Sequence, residues 1–324
     1  MRVQQPLRTL SNLLFLKSPL EAQLIITRRC NLSCGYCTEF DHHSPPIPLA
    51  VLQERIDAIH RLGVVNLSLL GGEPLMHPDL IEIIEYGNRY SQVSITTNGF
   101  LLQKDLIHRL NVSGLSNLQI SIDSLNPDPD RYIQKSLRNL LPKLELLKEH
   151  ATFDVHANVV LCESTKATFR ETVETIRQFG YYVSIGLIHS EQGKIQITGA
   201  DYLQLWEEHF ATRSSHSALD YEYGKQLLQG KQPPWQCRAG SRFLYVDEFG
   251  LVQYCSSQRN RLNKPITEYT RADLQAQCQT KKGCESGCSL LCVYRDSMLD
   301  NQPISIVKEA YHAVRSGVIS FNRQ

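Results

Sequence analysis

The sequence predicts an α/β fold: six β/α units forming a parallel sheet, followed by a small cysteine-rich domain that contains a β-hairpin. Three observations predict it. Short apolar strands alternate with segments whose apolar residues recur at helical spacing, from Gln23 to about Asp201. The residues richest in chemistry fall just after strands, where α/β folds bind ligands: Cys30, Gly71-Gly72-Glu73, Asn98-Gly99 and Asp123. Of the ten cysteines, Cys237, Cys255, Cys278, Cys284, Cys288 and Cys292 gather near the C-terminus.

The elements follow in order. Gln23 to Ile26 predicts a first strand. Leu49, Leu52, Ile56 and Ile59 share a helical face that Gly63 terminates. Val64 to Leu70 predicts a second strand, and a helix starts near Asp79. Val93 to Thr96, Leu118 to Ile122, Val155 to Leu161 and Tyr182 to Ile188 predict the remaining four strands. Helices between them cover about Gln103 to Leu110, the row Leu137, Leu140, Leu144 and Leu147, and the row Phe169, Val173 and Ile176. A further helix starts near Asp201. Leu13 to Leu16 reads as a short helix, and Ile304 to Val318 as a tail helix. The organisation reads as an N-terminal extension (1–22), a β/α domain (23–212), a linker rich in Ser, Gly and Pro (213–236), a cysteine-rich domain (237–301) and a C-terminal helix or tail (302–324).

Composition narrows the function classes. The 324 residues are 42% hydrophobic and 21% charged, ordinary for a folded globular chain. Lys+Arg 34 against Asp+Glu 33 leaves a formal charge of +1, so no basic excess points to nucleic acid. No apolar run approaches the ~18–20 residues of a membrane span. Lys17 interrupts the apolar start and no cleavage pattern follows it, so the expected location is cytoplasmic and reducing. Clustered cysteines there read as metal sites rather than disulfides.

Cys30, Cys34 and Cys37 form a C-x3-C-x2-C loop. Three thiolates on one short loop can wrap a face of a 4Fe–4S cubane and leave one iron without a protein ligand. The competing reading is a zinc site or reactive thiols, with His42 or His43 as the nearest fourth ligand. This loop, with the aromatic Tyr36 before its last cysteine, resembles the signature of the radical SAM enzyme superfamily. Further motifs fall in register over about residues 20–195. Gly71-Gly72-Glu73-Pro74 resembles the segment that contacts the amino group of S-adenosylmethionine, and Thr97-Asn98-Gly99 resembles the segment lining the cofactor; alone, each reads as a turn. By position, Ser121 or Asp123 resembles the polar residues that meet the ribose or carboxylate. Asn158 is placed to face the barrel interior, and Gly186 and Ile188 resemble the backbone that pairs with adenine.

The resemblance implies a partial (β/α)6 TIM-like barrel. It also implies reductive cleavage of S-adenosylmethionine to a 5′-deoxyadenosyl radical that takes hydrogen from a substrate, with an electron donor such as flavodoxin or ferredoxin. Cys237, Gly250 and Cys255, in a C-x12-G-x4-C pattern that reads as a hairpin, resemble the opening of SPASM and twitch domains. Gln275 stands where a full SPASM pattern has a cysteine. The expectation is therefore one auxiliary 4Fe–4S cluster on Cys237, Cys255 and two of Cys284, Cys288 and Cys292. A second, incompletely ligated cluster and a zinc knuckle are the alternatives. Cys278 is the weakest ligand and Cys162 reads as a core thiol.

Such a cluster assists a net oxidation or bond formation. The expected substrate is a small molecule or lipid, with a ribosomally made peptide or a protein as the alternative. With about 22 residues before the first strand, no leader-binding module is expected. A non-catalytic iron–sulfur or zinc-stabilised binding protein is the reading outside enzymes. His189 and Glu191 are placed near the barrel mouth as acid or base.

Overall fold

The computed structural model describes residues 2–3, 17–37, 39–128, 135–211, 218–304 and 320–321. Six parallel strands carry the fold: β1 (Glu21–Thr27), β2 (Asn66–Gly71), β3 (Gln92–Thr97), β4 (Asn117–Ile122), β5 (Asp154–Leu161) and β6 (Tyr182–Leu187). Helices α1 (Leu49–Arg61), α2 (Leu80–Gly87), α3 (Lys104–Val112), α4 (Leu137–His150) and α5 (Phe169–Gln178) make the crossovers. After α6 (Ala200–Ala211) and α7 (Ala218–Leu228) come three short strands, β7 (Phe243–Val246), β8 (Leu251–Gln253) and β9 (Lys264–Pro265), then α8 (Arg271–Gln279) and α9 (Leu291–Asn301).

The sheet has nine strands in the order β9-β8-β7-β1-β2-β3-β4-β5-β6 and does not close. This is the expected partial barrel. The hairpin of the cysteine-rich segment also joins the same sheet: β7 pairs in parallel with β1, Glu21 opposite Phe243 and Leu24 opposite Val246. β8 returns antiparallel through a tight turn at Asp247, where Gly250 takes φ 81°. Arg2–Val3 and Ser320–Phe321 pair separately.

Side-chain alternation divides the sheet into two faces. Leu24, Leu67, Leu69, Val93, Ile95, Leu118, Ile120 and Val159 are buried in one core with the helices, among them Leu52, Ile56, Leu140, Leu144 and Ile176. The other face is polar and in register. Gln23 lies opposite Ser68, and Ser68 opposite Ser94. Gln119 lies opposite His156, which lies opposite Tyr182. Ser121, Asn158 and Ser184 form a further row. Where β1 and β7 meet, this inner face turns apolar: Ile25, Phe243 and Tyr245 form a second buried cluster with Cys237, Cys255 and Val293.

Residues 218–228, read in sequence as linker, form α7. Trp206 of α6 fixes the pair, with its Nε1 donating to Tyr221 O (3.0 Å) and its ring against Gly224, where a Cβ would come within 2.2 Å. The Ser, Gly and Pro residues that suggested a linker stand at its ends. The short helix expected at Leu13 to Leu16 and the tail helix beyond Ile304 lie outside the described residues. None of the described helices is long and apolar enough to cross a membrane.

α9 is clamped to the start of β7. The buried Arg242 guanidinium donates to both carboxylate oxygens of Asp300, the nearer at 2.7 Å, and to Ser18 O at 3.0 Å. Removing one partner of a buried pair strands the other charge. Arg242→Ala is therefore expected to cost about 3–5 kcal/mol in urea unfolding. An unchanged midpoint would mean that other contacts hold α9.

Candidate functional site

The cysteine loop leaves β1 at Thr27. Its base is closed by Cys30 N donating to Asp41 O (2.9 Å) and Asp41 N donating to Arg28 O (2.8 Å). Cys37 N donates to Cys34 O (3.0 Å), so the last two cysteines share a turn. All three thiols are free. Leu32 N reaches Cys30 Sγ (3.4 Å) and Glu39 N reaches Cys37 Sγ (3.5 Å), contacts that favour thiolate sulfur. Burial raises all three thiols above the ordinary cysteine value, Cys34 to about 11. His42 braces the loop, its Nδ1 paired with Cys30 O and its Nε2 with Ser33 Oγ, both at 2.9 Å. Among the described residues no three His, Cys, Asp or Glu side chains converge as a single ion requires. A cubane has no such requirement, because its thiolates sit on separate irons.

The glycines after β2 pack against this loop. A Cβ on Gly71 would lie 2.0 Å from Thr27 O, and one on Gly72 would lie 2.4 Å from both Arg28 O and Arg29 O. Gly72 N and Glu73 N donate to Thr27 O and Arg29 O, each at 2.9 Å. Two backbones thus meet with no side chain between them.

Glu73 is fully buried. Its Oε1 accepts from Leu75 N (2.9 Å) and Thr97 Oγ1 (2.7 Å), and its Oε2 from Asn98 N (2.8 Å). Burial raises its carboxyl above the ordinary value, and these three donors oppose the rise. Thr97 Oγ1 accepts from Gly99 N (2.9 Å), and Asn98 Nδ2 donates to Asn31 Oδ1 (2.8 Å) inside the cysteine loop. Pro74 opens the short 3-10 turn Pro74–Met76 that Glu73 caps.

Past β4 lies a triad. Tyr36 OH donates to Asp123 Oδ1 (2.7 Å), and Lys135 Nζ donates to Tyr36 OH (2.6 Å) and sits 3.4 Å from the same carboxylate oxygen. The Tyr36 side chain is 42% exposed while its hydroxyl is turned inward to these partners. Burial alone would push the Lys135 ammonium down; Tyr36, Asp123 and Cys34 instead hold it well above the usual lysine value. Asp123 Oδ2 is buried and has no hydrogen-bond partner. That orphan oxygen, beside a lysine and an exposed aromatic face, marks a place for a polar ligand.

Ser121, Asn158 and Gly186 lie on the inner sheet face. Ser184 Oγ donates to Asn158 Oδ1 (2.9 Å), and a Cβ on Gly186 would meet Asn158 Nδ2 at 3.4 Å. Ile188 N donates to Leu161 O (3.2 Å), continuing β6 beyond its end. His189 is half-buried, its Nδ1 paired with Ser190 O (2.9 Å), and Glu191 is exposed on the next turn.

A second cysteine set forms between the hairpin and the loop before α9. Burial pushes Cys237 up to about 12, with Cys284 and Cys288 adding, and pushes Cys288 to about 11. Cys255 is raised well above the ordinary thiol value by burial, with Cys288, Cys237 and Cys284 adding. Cys237 and Cys255 share one buried cluster, and Cys284 and Cys288 act electrostatically on both thiols. Cys292 borders it, but the charges acting on its thiol belong to Glu21, Asp296 and Arg295. Cys278 faces Asp300, its sulfur 3.7 Å from Oδ2. Cys162 pairs with Ser164 Oγ (3.0 Å). The loop carrying Cys284 and Cys288 is stitched to the barrel, with Ile195 N donating to Gly287 O (2.8 Å) and Ser289 N donating to Gly193 O (3.0 Å).

Sequence reasoning missed Lys135, Asn31, Glu39 and Tyr245. Asn31 and Glu39 flank the cysteines and could have been flagged by proximity; nothing in spacing marks Lys135 or Tyr245.

A family profile described as the Radical SAM superfamily matches residues 24–176. A probable GTP 3′,8-cyclase of Archaeoglobus fulgidus is 37% identical over 115 residues, 34% of this chain and 38% of that protein. An AdoMet-dependent heme synthase of Methanosarcina barkeri is 30% identical over 189 residues, 55% of this chain and 54% of that protein. The chain thus spans about a third to a half of these relatives. Among solved structures, Streptococcus suis SuiB bound to precursor peptide SuiA superposes with TM-score 0.64 at 18% identity, covering 88% of this chain and 74% of that one. The anSMEcpe structure with bound AdoMet and Cp18Cys peptide gives 0.57 at 18%, covering 90% and 99%. At this identity the likeness to both is one of fold.

Gly72→Ala forces a Cβ between the glycine turn and the cysteine loop. The expected cost is about 1–3 kcal/mol in urea unfolding. Unchanged stability would show that the two backbones separate freely.

Proposed function

We propose that this chain, which matches the Radical SAM superfamily profile over residues 24–176, cleaves S-adenosylmethionine reductively at the three-cysteine loop to modify a substrate in the barrel. The observation that carries the reading is the joint placement of Cys30, Cys34 and Cys37: three free thiols on one loop, tied to the ends of β2 and β3. The donor set fits a 4Fe–4S cluster with one iron left for the amino and carboxylate groups of S-adenosylmethionine. When both are bound, they supply a 5′-deoxyadenosyl radical that abstracts hydrogen.

The chain's own residues bind and orient. Gly71 and Gly72 hold the floor of the loop, and Glu73 fixes Thr97 and Asn98 at its flank. The Lys135 ammonium, steadied by Tyr36 and Asp123, gives a carboxylate its counter-charge. Ser121 and Asn158 offer polar groups to a ribose, and the backbone at Gly186 and Ile188 an edge to adenine. His189 and Glu191 are the acid–base candidates near the mouth. Cys237, Cys255, Cys284 and Cys288 are the proposed ligands of one auxiliary 4Fe–4S cluster, and a flavodoxin- or ferredoxin-like protein the electron donor.

The inner face bears Gln23, Ser68, Ser94, Gln119, His156 and Ser184. Such a lining matches a hydrogen-bonding substrate, and the apolar patch of Ile25, Phe243 and Tyr245 lies to one side of it. We therefore favour a polar small molecule over a lipid, undergoing net oxidation or bond formation. A peptide substrate is the second reading; peptide-bound structures of the same fold cover about nine tenths of the chain.

Anaerobic reconstitution is expected to yield about eight irons and as much sulfide per chain. Reduction with S-adenosylmethionine present should release 5′-deoxyadenosine. Alanine at Cys30, Cys34 and Cys37 should abolish that release. Cys284→Ser should halve the iron and spare the release, and Cys292→Ser should change neither. Release that survives the triple alanine variant, or colourless protein with stoichiometric zinc, would overturn the reading.

A further inference from the structure

A side-chain bridge joins the surroundings of the two cysteine sites. The Tyr245 ring, from β7, is 1% exposed and belongs to the same buried cluster as Cys237, Cys255 and Ile25. Its hydroxyl leaves that cluster and donates to Glu39 Oε2 (2.6 Å). Glu39 lies in the first cysteine loop, and its own N–H reaches Cys37 Sγ (3.5 Å). One tyrosine therefore touches the surroundings of both thiol sets.

Glu39 is also the hub of a charge network. Arg28 NH1 donates to Glu39 Oε2 (3.0 Å), and Arg259 NH1 stands 3.5 Å from the same oxygen. Glu248, at the turn between β7 and β8, pairs with Arg259 and lies 3.9 Å from Arg28. Two arginines and two carboxylates balance one another in half-buried surroundings. Glu39 Oε1 stays buried without a hydrogen-bond partner. Arg28 and Glu39 come from the cysteine loop, and Tyr245, Glu248 and Arg259 from the cysteine-rich segment. Glu39 and Tyr245 stand 206 positions apart in the chain, so the contact exists only because β7 docks on β1. None of these residues is needed to ligate iron.

We propose that Glu39 and Tyr245 are positioning residues that set the charge felt by the Cys30–Cys34–Cys37 site and hold it at a fixed distance from the auxiliary site. The proposal rests on the reading that both sites carry clusters. The physics is short-range electrostatics: a carboxylate near a cluster favours its oxidised form, and a donor on that carboxylate disperses the charge. Tyr245 then acts through Glu39, because among the described residues its hydroxyl reaches the first site by the hydrogen bond to Oε2.

The two substitutions should move the first site in opposite directions. Glu39→Gln removes the negative charge and frees the two arginines, so reduction becomes easier. The expected gain in the reduction equilibrium is about tenfold, roughly 59 mV for one electron. Tyr245→Phe keeps the ring and removes the donor, so reduction becomes harder by a smaller factor. The double variant should match Glu39→Gln alone, since Tyr245 has no charge left to disperse.

The experiment is an anaerobic redox titration followed by electron paramagnetic resonance, on the full chain with iron counted in each variant. Wild-type protein binding fewer than about eight irons would sink the cluster reading itself. With iron at the wild-type level, unchanged midpoints in both single variants would overturn the link. So would a Tyr245→Phe shift that persists undiminished in the Glu39→Gln background. If Glu39→Gln loses iron, Tyr245→Phe alone decides, and a midpoint identical to wild type then refutes the proposal.

Discussion

The site depends on one buried carboxylate. Glu73 is enclosed completely, yet its two oxygens take donors from its own turn and from the end of β3. A buried carboxylate is tolerated only where such donors compensate its lost hydration. Here the compensation also sets the geometry. Thr97 and Asn98 are fixed against the glycine turn, and Asn98 then holds Asn31 between the first two cysteines. The tips of three strands become one unit, and the thiols inherit their height above the sheet from it. The glycines serve the same end, since only bare backbone lets the turn lie on the carbonyls of Arg28 and Arg29.

The cysteine-rich segment is part of the sheet as much as an appendage to it. β7 continues the sheet from β1, and the loop of Cys284 and Cys288 bonds to the excursion after β6. One edge of the six-stranded layer is therefore paired by this stretch of chain, which also fastens the excursion after its last strand. Between them lies an inner face of amide, hydroxyl and imidazole groups, which turns apolar where Ile25, Phe243 and Tyr245 back the second thiol set. Ile25 of β1 packs in the cluster of the second thiol set, and the first thiol loop leaves the end of the same strand.

Much of this was legible in the sequence. The six strands stood out because period-two apolar residues alternated with helical rows, and the thiol loop because its spacing has one economical use. The turn residues Gly71, Gly72, Thr97 and Asn98 were legible as a pattern, though their physical reason was not. The glycines admit a neighbouring loop, and Glu73 is committed to strand ends, both long-range packing facts. Lys135 could not be found from spacing: Tyr36 is 99 positions away, Asp123 belongs to another segment, and no motif ties the three together. α7 was hidden because serines, glycine and prolines at its ends outweighed the row Leu219, Tyr223 and Leu227. Nothing in the spacing separates Cys284 and Cys288, which lie in the loop that meets the barrel, from Cys292, which has entered α9 and whose thiol is raised by burial and by Glu21.

The seam between Gly193–Ile195 and Gly287–Ser289 couples the end of the β/α layer to the cysteine-rich segment. Those backbone bonds tie the excursion after β6 to the same few residues that present Cys284 and Cys288. On the proposed reading, filling the second thiol set and fastening that excursion are then coupled, because the same few residues do both.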